Sequence, residues 1–381
     1  MKTIVANTVL VVVSLLVGLL VVEAGLRATG FKPGNPMERL INHPDTYLGY
    51  RMLPGMRETI PGPDGIYTAA IISLDFPDDA GFRDDGINGS PVDSVFIGDS
   101  FVWGFGVELA DSISERYEQL TGKDAVNLGM TSWTSPTQYA RLLDRYGVLL
   151  RPKTVFVEAL IENDFGDLPN FAAWEASGTA KSYPEWMTDR NMGYKPDTVS
   201  YKVRRFLYDH SALGRFVSDR VQFGIKEPAR PAEDNIFHVT ADGLDLYLDR
   251  RNLPSPGERA DAVQIALFRV ALEDMRQTAA SNGIRLVVFI VPTKEMVYQD
   301  RFPDPAMRAA VDWRYEAIRQ LVDEEQIAHV DMLPPFRAAA AQGEQLYFAQ
   351  DTHWTPRGHE LAARLLHDYQ TANCPQGGCA P

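Results

Sequence analysis

Short apolar runs and longer amphipathic segments alternate along most of the chain. The short runs have the length and composition of buried strands, and they lie at 94–98, 125–128, 154–160, 286–291 and 328–331. The segments in which apolar positions recur at helical spacing lie at 112–120, 137–146, 261–281, 306–324 and 356–369. This alternation predicts an α/β fold, in which helices cover both faces of a mostly parallel central sheet.

The apolar run at the amino end predicts a membrane anchor. Residues 4–22 are apolar except for Asn7, Thr8 and Ser14, and a helix needs about 20 such residues to cross a bilayer. The following Glu23-Ala24-Gly25 is a poor site for signal-peptide cleavage. We therefore predict an uncleaved transmembrane signal anchor over residues 1–29, with cleavage as the alternative. Basic residues flank the run on both sides, which leaves its orientation open.

Two further regions lack a regular pattern. Residues 30–90 are rich in Pro and Gly and predict a membrane-proximal linker and N-terminal extension that packs as irregular or short β structure, followed by one domain over residues 91–381. Within that domain, at about 165–260, the alternation stops. We predict an irregular, lid-like insertion there, with packing into a core as the alternative role of its aromatic residues. Those aromatic residues are Trp174, Tyr183, Trp186, Tyr194, Tyr201, Phe206, Tyr208, Phe223, Phe237 and Tyr247.

Composition narrows the range of partners. The 381 residues carry a net charge of -14, which argues against nucleic acid, because a phosphate backbone is bound by clustered Lys and Arg. The two cysteines, Cys374 and Cys379, are spaced to close a small disulfide loop, which favours a location outside the cytoplasm. Even with His367 they are too few for a zinc site, so we predict no metal and no cofactor.

Candidate catalytic residues lie after the first predicted strand of the sheet and before the last predicted helix. The run ends in Gly98-Asp99-Ser100, which places Ser100 on a strand-to-loop turn at the edge where parallel sheets bind ligands. Asp351 and His353 lie two residues apart on a predicted loop before the last helix. Because a serine needs a base, and the base an orienting acid, we predict Ser100 as nucleophile, His353 as general base and Asp351 as its orienting acid. On its own, such a serine is more often a turn residue.

Gly98-Asp99-Ser100 and Asp351-x-His353, in this order, resemble the first and last sequence blocks of the SGNH/GDSL hydrolase family. Asn127-Leu128-Gly129 resembles the second block and Glu162-Asn163-Asp164 the third, with Ile161 in the place of a glycine. We expect Glu162 and Asp164 to be solvated acids, and Asp99 to fix the turn by bonding to nearby N–H groups. The resemblance implies a three-layer, flavodoxin-like hydrolase fold. It also implies an oxyanion hole formed by the backbone N–H groups of Ser100 and Gly129 and the side-chain amide of Asn163.

Other parts of the chain extend this resemblance. Gly81-Phe82-Arg83 is similar to a motif that membrane-anchored bacterial members carry before the serine strand, although a plain turn is an equal alternative. Val291-Pro292-Thr293-Lys294 with Tyr298, together with residues 351–358, resembles the alginate O-acetyltransferase family, whose SGNH-like members act on polysaccharide in the periplasm. In that family Asp-x-His precedes the serine, whereas here it follows Ser100. The resemblance implies an acetyl group and a glycan substrate.

Together these features predict a serine esterase of SGNH type that removes acyl groups from an extracytoplasmic glycan or another ester through an acyl-serine intermediate. An O-acetyltransferase that moves acetyl groups onto a polysaccharide is one alternative, since a sugar hydroxyl can replace water in the second half-reaction. A non-catalytic glycan-binding or assembly protein on the same scaffold is the other. We expect a single-pass inner-membrane protein whose catalytic domain lies in the periplasm or outside the cell, and the sequence indicates no protein partner.

Overall fold

The computed structural model describes residues 2–88, 91–191, 199–224, 235–254, 258–259 and 261–373. They form two compact units. The first contains the described residues of Met1–Arg39 and Arg190–Glu233, and the second contains those of Leu40–Asp189 and Asp234–Pro381. These boundaries differ from the expected ones at 29 and 90, since part of the predicted insertion groups with the amino-terminal helix. The predicted disulfide of Cys374 and Cys379 lies outside the described residues.

The chain begins with helix α1 (Lys2–Ala28), followed by the short helix α2 (Pro36–Ile41). The segment Ile4–Ala28 of α1 contains an 18-residue stretch with a mean hydropathy of 2.7, and it is long and apolar enough to cross a membrane. Nearly all its side chains are exposed, so the protein itself provides no core for them. Among the described residues, α1 is the one candidate for a membrane-spanning helix.

Residues 40–88 belong to the second unit and form three antiparallel strand pairs. Leu40, Tyr50 and Arg83 in this region are completely buried, so the predicted linker is folded structure over most of its length. The pairs are β1 (Pro44–Asp45) with β2 (Gly49–Tyr50), β3 (Arg57–Gly62) with β4 (Gly65–Ala70), and β5 (Ile72–Ser73) with β6 (Gly81–Phe82).

The remaining elements alternate as the pattern predicts, with additional helices. The first part contains β7 (Ser94–Ile97), α3 (Ser100–Trp103), α4 (Ile113–Thr121), β8 (Ala125–Asn127), α5 (Pro136–Arg145) and β9 (Thr154–Leu160). The insertion contains α6 (Asp164–Ser177), α7 (Tyr183–Asn191), α8 (Val199–His210), α9 (Ala212–Gly224), β10 (Ile236–Val239) and β11 (Leu246–Asp249). The last part contains α10 (Ala262–Ser281), β12 (Arg285–Val291), α11 (Lys294–Val297), α12 (Pro305–Arg308), α13 (Trp313–Glu324), β13 (Ala328–Asp331), α14 (Leu333–Ala341) and α15 (Pro356–Asn373).

A five-stranded sheet in the order β13-β12-β9-β7-β8 forms the centre of the second unit, and all its pairs are parallel. Every residue of β9 is buried, as expected for a strand covered on both faces. From β7 the chain crosses to β8 on one side and then returns to β9 on the other, so right-handed crossovers place α4 and α5 on opposite faces. Accordingly, α4 packs against α15, and α5 against α10. The predicted three-layer α/β fold is confirmed.

The insertion is more regular than the sequence pattern predicts, because its described residues form four helices and the antiparallel pair β10–β11. Phe171, Trp174, Tyr183 and Met187 form a buried cluster on α6 and α7, against which Trp186 packs. For these aromatic residues the core alternative is therefore the better description. Tyr194 lies outside the described residues.

A buried arginine joins the amino-terminal strands to the segment after the candidate nucleophile. The Arg83 guanidinium donates to the carbonyl oxygens of Trp103 at 2.9 Å, Gly104 at 2.6 Å, Thr68 at 3.0 Å and Val107 at 2.7 Å. It also lies 4.7 Å from the ring centre of Trp103. A guanidinium holds several N–H donors in a fixed planar arrangement, whereas a lysine ammonium is a compact point charge. Arg83 thus fixes the path of residues 103–107.

We predict that Arg83→Lys lowers the free energy of unfolding by about 2–4 kcal/mol, because several charge-assisted hydrogen bonds to buried carbonyls are lost together. The measurement is urea unfolding of the full chain in detergent, followed by tryptophan fluorescence. Arg364→Lys is the control, since Arg364 pairs with Glu360 on the surface and the change should cost less than about 0.5 kcal/mol. Equal midpoints for the two variants would contradict the role of Arg83.

Candidate active site

Ser100 is the first residue of α3, directly after the carboxyl end of β7. The side chain of Asp99 accepts a hydrogen bond from the Phe101 N–H at 3.0 Å and so caps the helix, which is the structural role that the sequence predicted for this aspartate. Gly104, with φ of 82°, ends the helix after one turn. The sequence predicted a loop and no helix before about residue 111. That expectation was wrong, because a helix of four residues is too short to show periodicity.

The structure brings Ser100, His353 and Asp351 together. His353 Nε2 lies 2.7 Å from Ser100 Oγ, and His353 Nδ1 lies 2.6 Å from Asp351 Oδ1. The backbone N–H of His353 also donates to Asp351 Oδ1 at 2.9 Å. With Nδ1–H donating to the carboxylate, Nε2 is the ring nitrogen that can accept the serine proton. The side chain of His353 is 18% exposed, so substrate can reach it.

Aromatic rings fix the plane of the imidazole. The ring centres of Phe101 and Phe105 lie 4.9 and 4.5 Å from that of His353. Trp354, the next residue, is fully buried and packs against Phe101 and His359. Two phenylalanines from the serine segment therefore hold the histidine ring. Phe105 lies in the segment that Arg83 fixes.

The acid and the base shift each other's pKa. Burial alone would raise the pKa of Asp351, but the hydrogen bonds from His353 and the charge of Lys294 bring it below its usual value. Burial alone would lower the pKa of His353, but the hydrogen bond and the charge of Asp351 raise it above its usual value. The pair therefore favours the charged carboxylate and stabilises the imidazolium that forms when the serine loses its proton.

A buried lysine holds the loop that carries Asp351. Lys294 is 2% exposed, and its Nζ donates to the carbonyl oxygens of Asp351 at 3.0 Å, Ala349 at 3.3 Å and Phe348 at 3.4 Å. Burial lowers its pKa. Tyr298 acts similarly, because its hydroxyl donates to the Glu344 carbonyl at 2.7 Å and accepts from the Leu346 N–H at 2.8 Å. The motif of Lys294 and Tyr298 thus supports residues 344–351.

Asn163 follows β9 and reaches the start of α3. Its Nδ2 donates to Asp99 Oδ2 at 3.3 Å, which uses one of the two amide hydrogens and leaves the other for an oxyanion. The Asp99 N–H in turn donates to Glu158 Oε2 at 2.8 Å. Burial and the nearby charge of Asp99 raise the pKa of Glu158 well above its usual value. This buried carboxyl pair orients the Asn163 amide.

The predicted oxyanion donor Gly129 is already hydrogen bonded, because its N–H donates to Asn127 Oδ1 at 2.8 Å. Its Cα faces the backbone of Trp103, where a Cβ would lie 2.5 Å from the Trp103 nitrogen. Met130 donates to the Gly98 carbonyl at 3.0 Å, which places the following residues beside the serine turn. Among them, Ser132 has φ of 67°, a costly conformation for a residue other than glycine. Its N–H has no partner within the described part of the chain.

Ser132 is a residue that the sequence reasoning missed. Neither periodicity nor a motif identified it, since the sign of φ is a property of the folded backbone. The sequence also led us to expect solvated carboxylates on both sides of Asn163. For Asp164 this was wrong, because it is completely buried and accepts from the Leu160 N–H at 2.8 Å and from the Tyr139 hydroxyl at 3.1 Å. Burial raises the pKa of the other neighbour, Glu162, to about 7.

A cleft of about 430 Å³ lies beside the third-block segment. One of its walls is Arg314, whose guanidinium donates to the Glu162 carbonyl at 3.2 Å, one residue before Asn163. Arg250 and Arg251 also line the cleft, together with Glu258 and Asp304. Ser100, Asp351, His353 and Asn163 are not among the residues that line it.

One group of carboxylates elsewhere in the second unit could bridge a cation. Carboxylate oxygens of Asp85, Glu115 and Glu118 lie within 4.8 Å of one another. Burial and the neighbouring acids raise the pKa of Glu115 to about 8, so a proton can relieve the same repulsion. The absence of a metal from the reaction stays a prediction.

The parallel sheet and the hydrogen-bonded serine, histidine and aspartate at its carboxyl edge are features of the SGNH class. Residues 246–376 match the sequence model of the family described as SGNH hydrolase-like domain, acetyltransferase AlgX. This match includes Asp351 and His353 but not Ser100. The chain contains an SGNH hydrolase-like domain.

The relatives that the chain matches are proteins of alginate acetylation. It is 33% identical over 95 residues to the "Probable alginate O-acetylase AlgJ" of Azotobacter vinelandii, covering 25% of this chain and 24% of the relative. It is 33% identical over 122 residues to the protein of the same description from Pseudomonas syringae pv. tomato, covering 32% and 30%. The matches thus span less than a third of these relatives. A lipase/acylhydrolase from Enterococcus faecalis aligns over 74% of this chain and 96% of its own, at 10% identity and a TM-score of 0.37, a likeness that carries no argument about function.

We predict that modification of Ser100 by a fluorophosphonate depends on the neutral form of His353. Because the folded-state pKa of His353 is raised, the reaction should be slow at low pH and increase through a midpoint above about 6.5, the usual histidine value. Asp351→Asn removes the group that raises this pKa, while burial still lowers it. The midpoint should therefore move to lower pH, and the plateau rate should fall by roughly 10³-fold or more.

The measurement is the labelling rate of the full chain in detergent against pH, with the modified residue located by peptide mass spectrometry. His367→Gln is the matched control, since His367 lies on α15 and its partner is Asp368. Its profile should equal that of the unchanged protein. An unchanged midpoint in Asp351→Asn would contradict the coupling between acid and base.

Proposed function

We propose that the chain removes acetyl groups from a polysaccharide outside the cytoplasm, through an acyl-enzyme intermediate on Ser100. The observation that carries the proposal is the continuous hydrogen-bond chain from Asp351 through His353 to Ser100 Oγ. The anchor helix α1 supports a location at the membrane, and the resemblance to polysaccharide-acetylating proteins supports the acetyl group and the glycan.

In the first half-reaction, Ser100 Oγ attacks the carbonyl carbon of the acetyl ester while His353 Nε2 takes the hydroxyl proton. Asp351 stabilises the imidazolium that results. The tetrahedral intermediate then expels the sugar oxygen, which receives the proton from Nε2. In the second half-reaction, water attacks the acetyl-serine with His353 again as base, and acetate leaves.

The developing negative charge on the carbonyl oxygen requires donors. Three N–H groups in this proposal supply them: the Ser100 backbone at the start of α3, the second amide hydrogen of Asn163, and the free backbone N–H of Ser132. Ser132 takes the place we expected for Gly129, since the Gly129 N–H is held by Asn127. The φ of Ser132 is strained, which is consistent with a backbone conformation that presents its N–H group as a donor.

We predict that Asn163→Ala lowers the labelling or turnover rate by about 10²–10³-fold, the cost of losing one oxyanion donor. Ser132→Gly should retain the rate within about threefold, because glycine keeps the N–H and adopts this φ without strain. Both variants are assayed beside the unchanged protein, with urea unfolding to exclude a folding defect. A large loss in Ser132→Gly would indicate that the hydroxyl acts instead of the backbone.

O-acetyl transfer is the second candidate function. The names of the relatives favour it, since they refer to O-acetylases. The site chemistry accommodates it as well, because a sugar hydroxyl can attack the acetyl-serine in place of water. The two functions share the first half-reaction and differ in the acceptor alone.

The test supplies the full chain in detergent with an acetylated polysaccharide, with and without an unacetylated acceptor glycan. We predict acetate release that Ser100→Ala lowers by at least about 10³-fold and that His367→Gln leaves unchanged. Acetyl groups that appear on the acceptor would favour transfer. Glycan binding with neither reaction, and no fluorophosphonate adduct on Ser100, would overturn both candidates in favour of a binding protein.

A further inference from the structure

Helix α8 is amphipathic, and its polar side is the one that contacts the protein. Arg205 pairs with Glu38 at 3.2 Å and with Asp209 on its own helix at 2.7 Å. The Tyr208 carbonyl accepts a hydrogen bond from the Gly34 N–H at 2.8 Å. The segment between α1 and α2 therefore covers the side of α8 that carries Arg205 and Tyr208.

The apolar side of α8 is exposed. Val199, Val203, Phe206 and Leu207 recur at the spacing i, i+4, i+7 and i+8, which forms a single stripe along a helix. Phe206 is 60% exposed, and Val203 is 53% exposed. The ring of His210 stacks on Phe206 at 4.4 Å and extends the stripe by one position. This is the reverse of a helix in a water-soluble domain, where the apolar stripe faces the core.

The hairpin of α8 and α9 is attached to the end of α1. The Glu23 carboxylate accepts hydrogen bonds from Ser211 Oγ at 2.8 Å and from the N–H groups of Ala212 at 3.0 Å and Leu213 at 2.8 Å, which caps α9. Arg27 donates to the His210 carbonyl at 2.9 Å, at the carboxyl end of α8. One turn of α1 thus satisfies backbone groups at the junction of both helices.

This attachment fixes the hairpin at a definite depth. Glu23 and Arg27 are the first charged residues after the apolar run of α1, so they mark the level at which that helix leaves the hydrocarbon. Further contacts continue outward along the same segment. Arg215 on α9 donates to the Lys32 carbonyl at 2.7 Å and lies 4.4 Å from the ring centre of Phe31.

We propose that the hairpin of α8 and α9 lies in the headgroup region of the membrane that α1 crosses, with the stripe of Val199, Val203, Phe206 and Leu207 inserted at the acyl-chain boundary. The occupant of this surface is lipid, because the hairpin that carries the stripe is bonded to Glu23 and Arg27, at the level where α1 leaves the hydrocarbon. Val217 on α9 is 50% exposed and adds to the apolar surface.

The exposure of this hairpin also explains why the sequence pattern predicted irregular structure at this part of the insertion. An apolar stripe that faces lipid gives a helical period without a matching core, and two such helices in an insertion were read as irregular structure. Gly214 permits the close crossing of the two helices, since a Cβ there would collide with the Leu207 carbonyl. The unit is therefore a compact membrane-proximal element, formed by α1, residues 29–39 and the hairpin.

The test measures the environment of α8 in the full chain reconstituted into vesicles of phosphatidylcholine and phosphatidylglycerol. In a background of Cys374→Ser and Cys379→Ser, a nitroxide is attached through Phe206→Cys, with Arg204→Cys as the matched control two positions away on the opposite side of the helix. Collision rates with oxygen, which dissolves in lipid, and with a water-soluble nickel complex give the depth of each label. Variants are compared at equal thermal stability.

We expect the label at 206 to collide with oxygen several-fold more often, relative to nickel, than the label at 204. Similar ratios at both positions, with ready access for nickel, would overturn the proposal, because the stripe would then face water. Low access for both reagents at 206 would also overturn it, in favour of a protein that covers the stripe. The result is independent of the reaction at Ser100, which does not enter the measurement.

Discussion

The hydrogen bond between Ser100 Oγ and His353 Nε2 joins residues that are 253 positions apart, and the proposed chemistry depends on it. A central parallel sheet makes this contact possible, because its strands end at one edge. β7 ends before Ser100, β9 before Asn163, and β12 before the segment that contains Lys294. The loop that carries Asp351 and His353 therefore has to be held in place only at this one edge of the sheet.

Two buried cations provide much of that support, and both bind carbonyl oxygens. Arg83 fixes the backbone after α3, and Lys294 fixes the loop that carries Asp351. A loop next to a reacting group cannot be held by a regular sheet or helix, so its carbonyls need other donors. A cation that contacts several carbonyls restrains several residues at once. This account gives a physical role to Gly81-Phe82-Arg83 and to the lysine motif, neither of which touches the reacting atoms in the proposed mechanism.

The sequence predicted the sheet well and the surroundings of the site less well. β9 and β13 have the predicted bounds. For β9 the reason is that a strand buried along its whole length is a nearly continuous apolar run. The predicted helix at 306–324 is two helices, α12 and α13, each of which begins after an aspartate cap, at Asp304 and Asp312. Periodicity alone cannot show such a break. Helix α14 was missed for a similar reason, since it is short and rich in alanine.

For the site, the sequence placed Ser100, Asp351 and His353 at loop positions that the structure brings into hydrogen-bond contact, and their catalytic roles stay predictions. It could not show that the Gly129 N–H is already bonded to Asn127 or that Ser132 has a positive φ, because both are properties of the folded backbone. The role of Gly129 as an oxyanion donor stays a prediction. The order of the serine and the histidine along the chain constrains the geometry of the site even less. The family match begins after Ser100, yet the serine reaches the same histidine from the earlier strand β7. Since β7, β9 and β12 are parallel neighbours, a nucleophile at the end of any of them lies at one edge, and the order in which the chain visits them does not alter the geometry that the reaction needs.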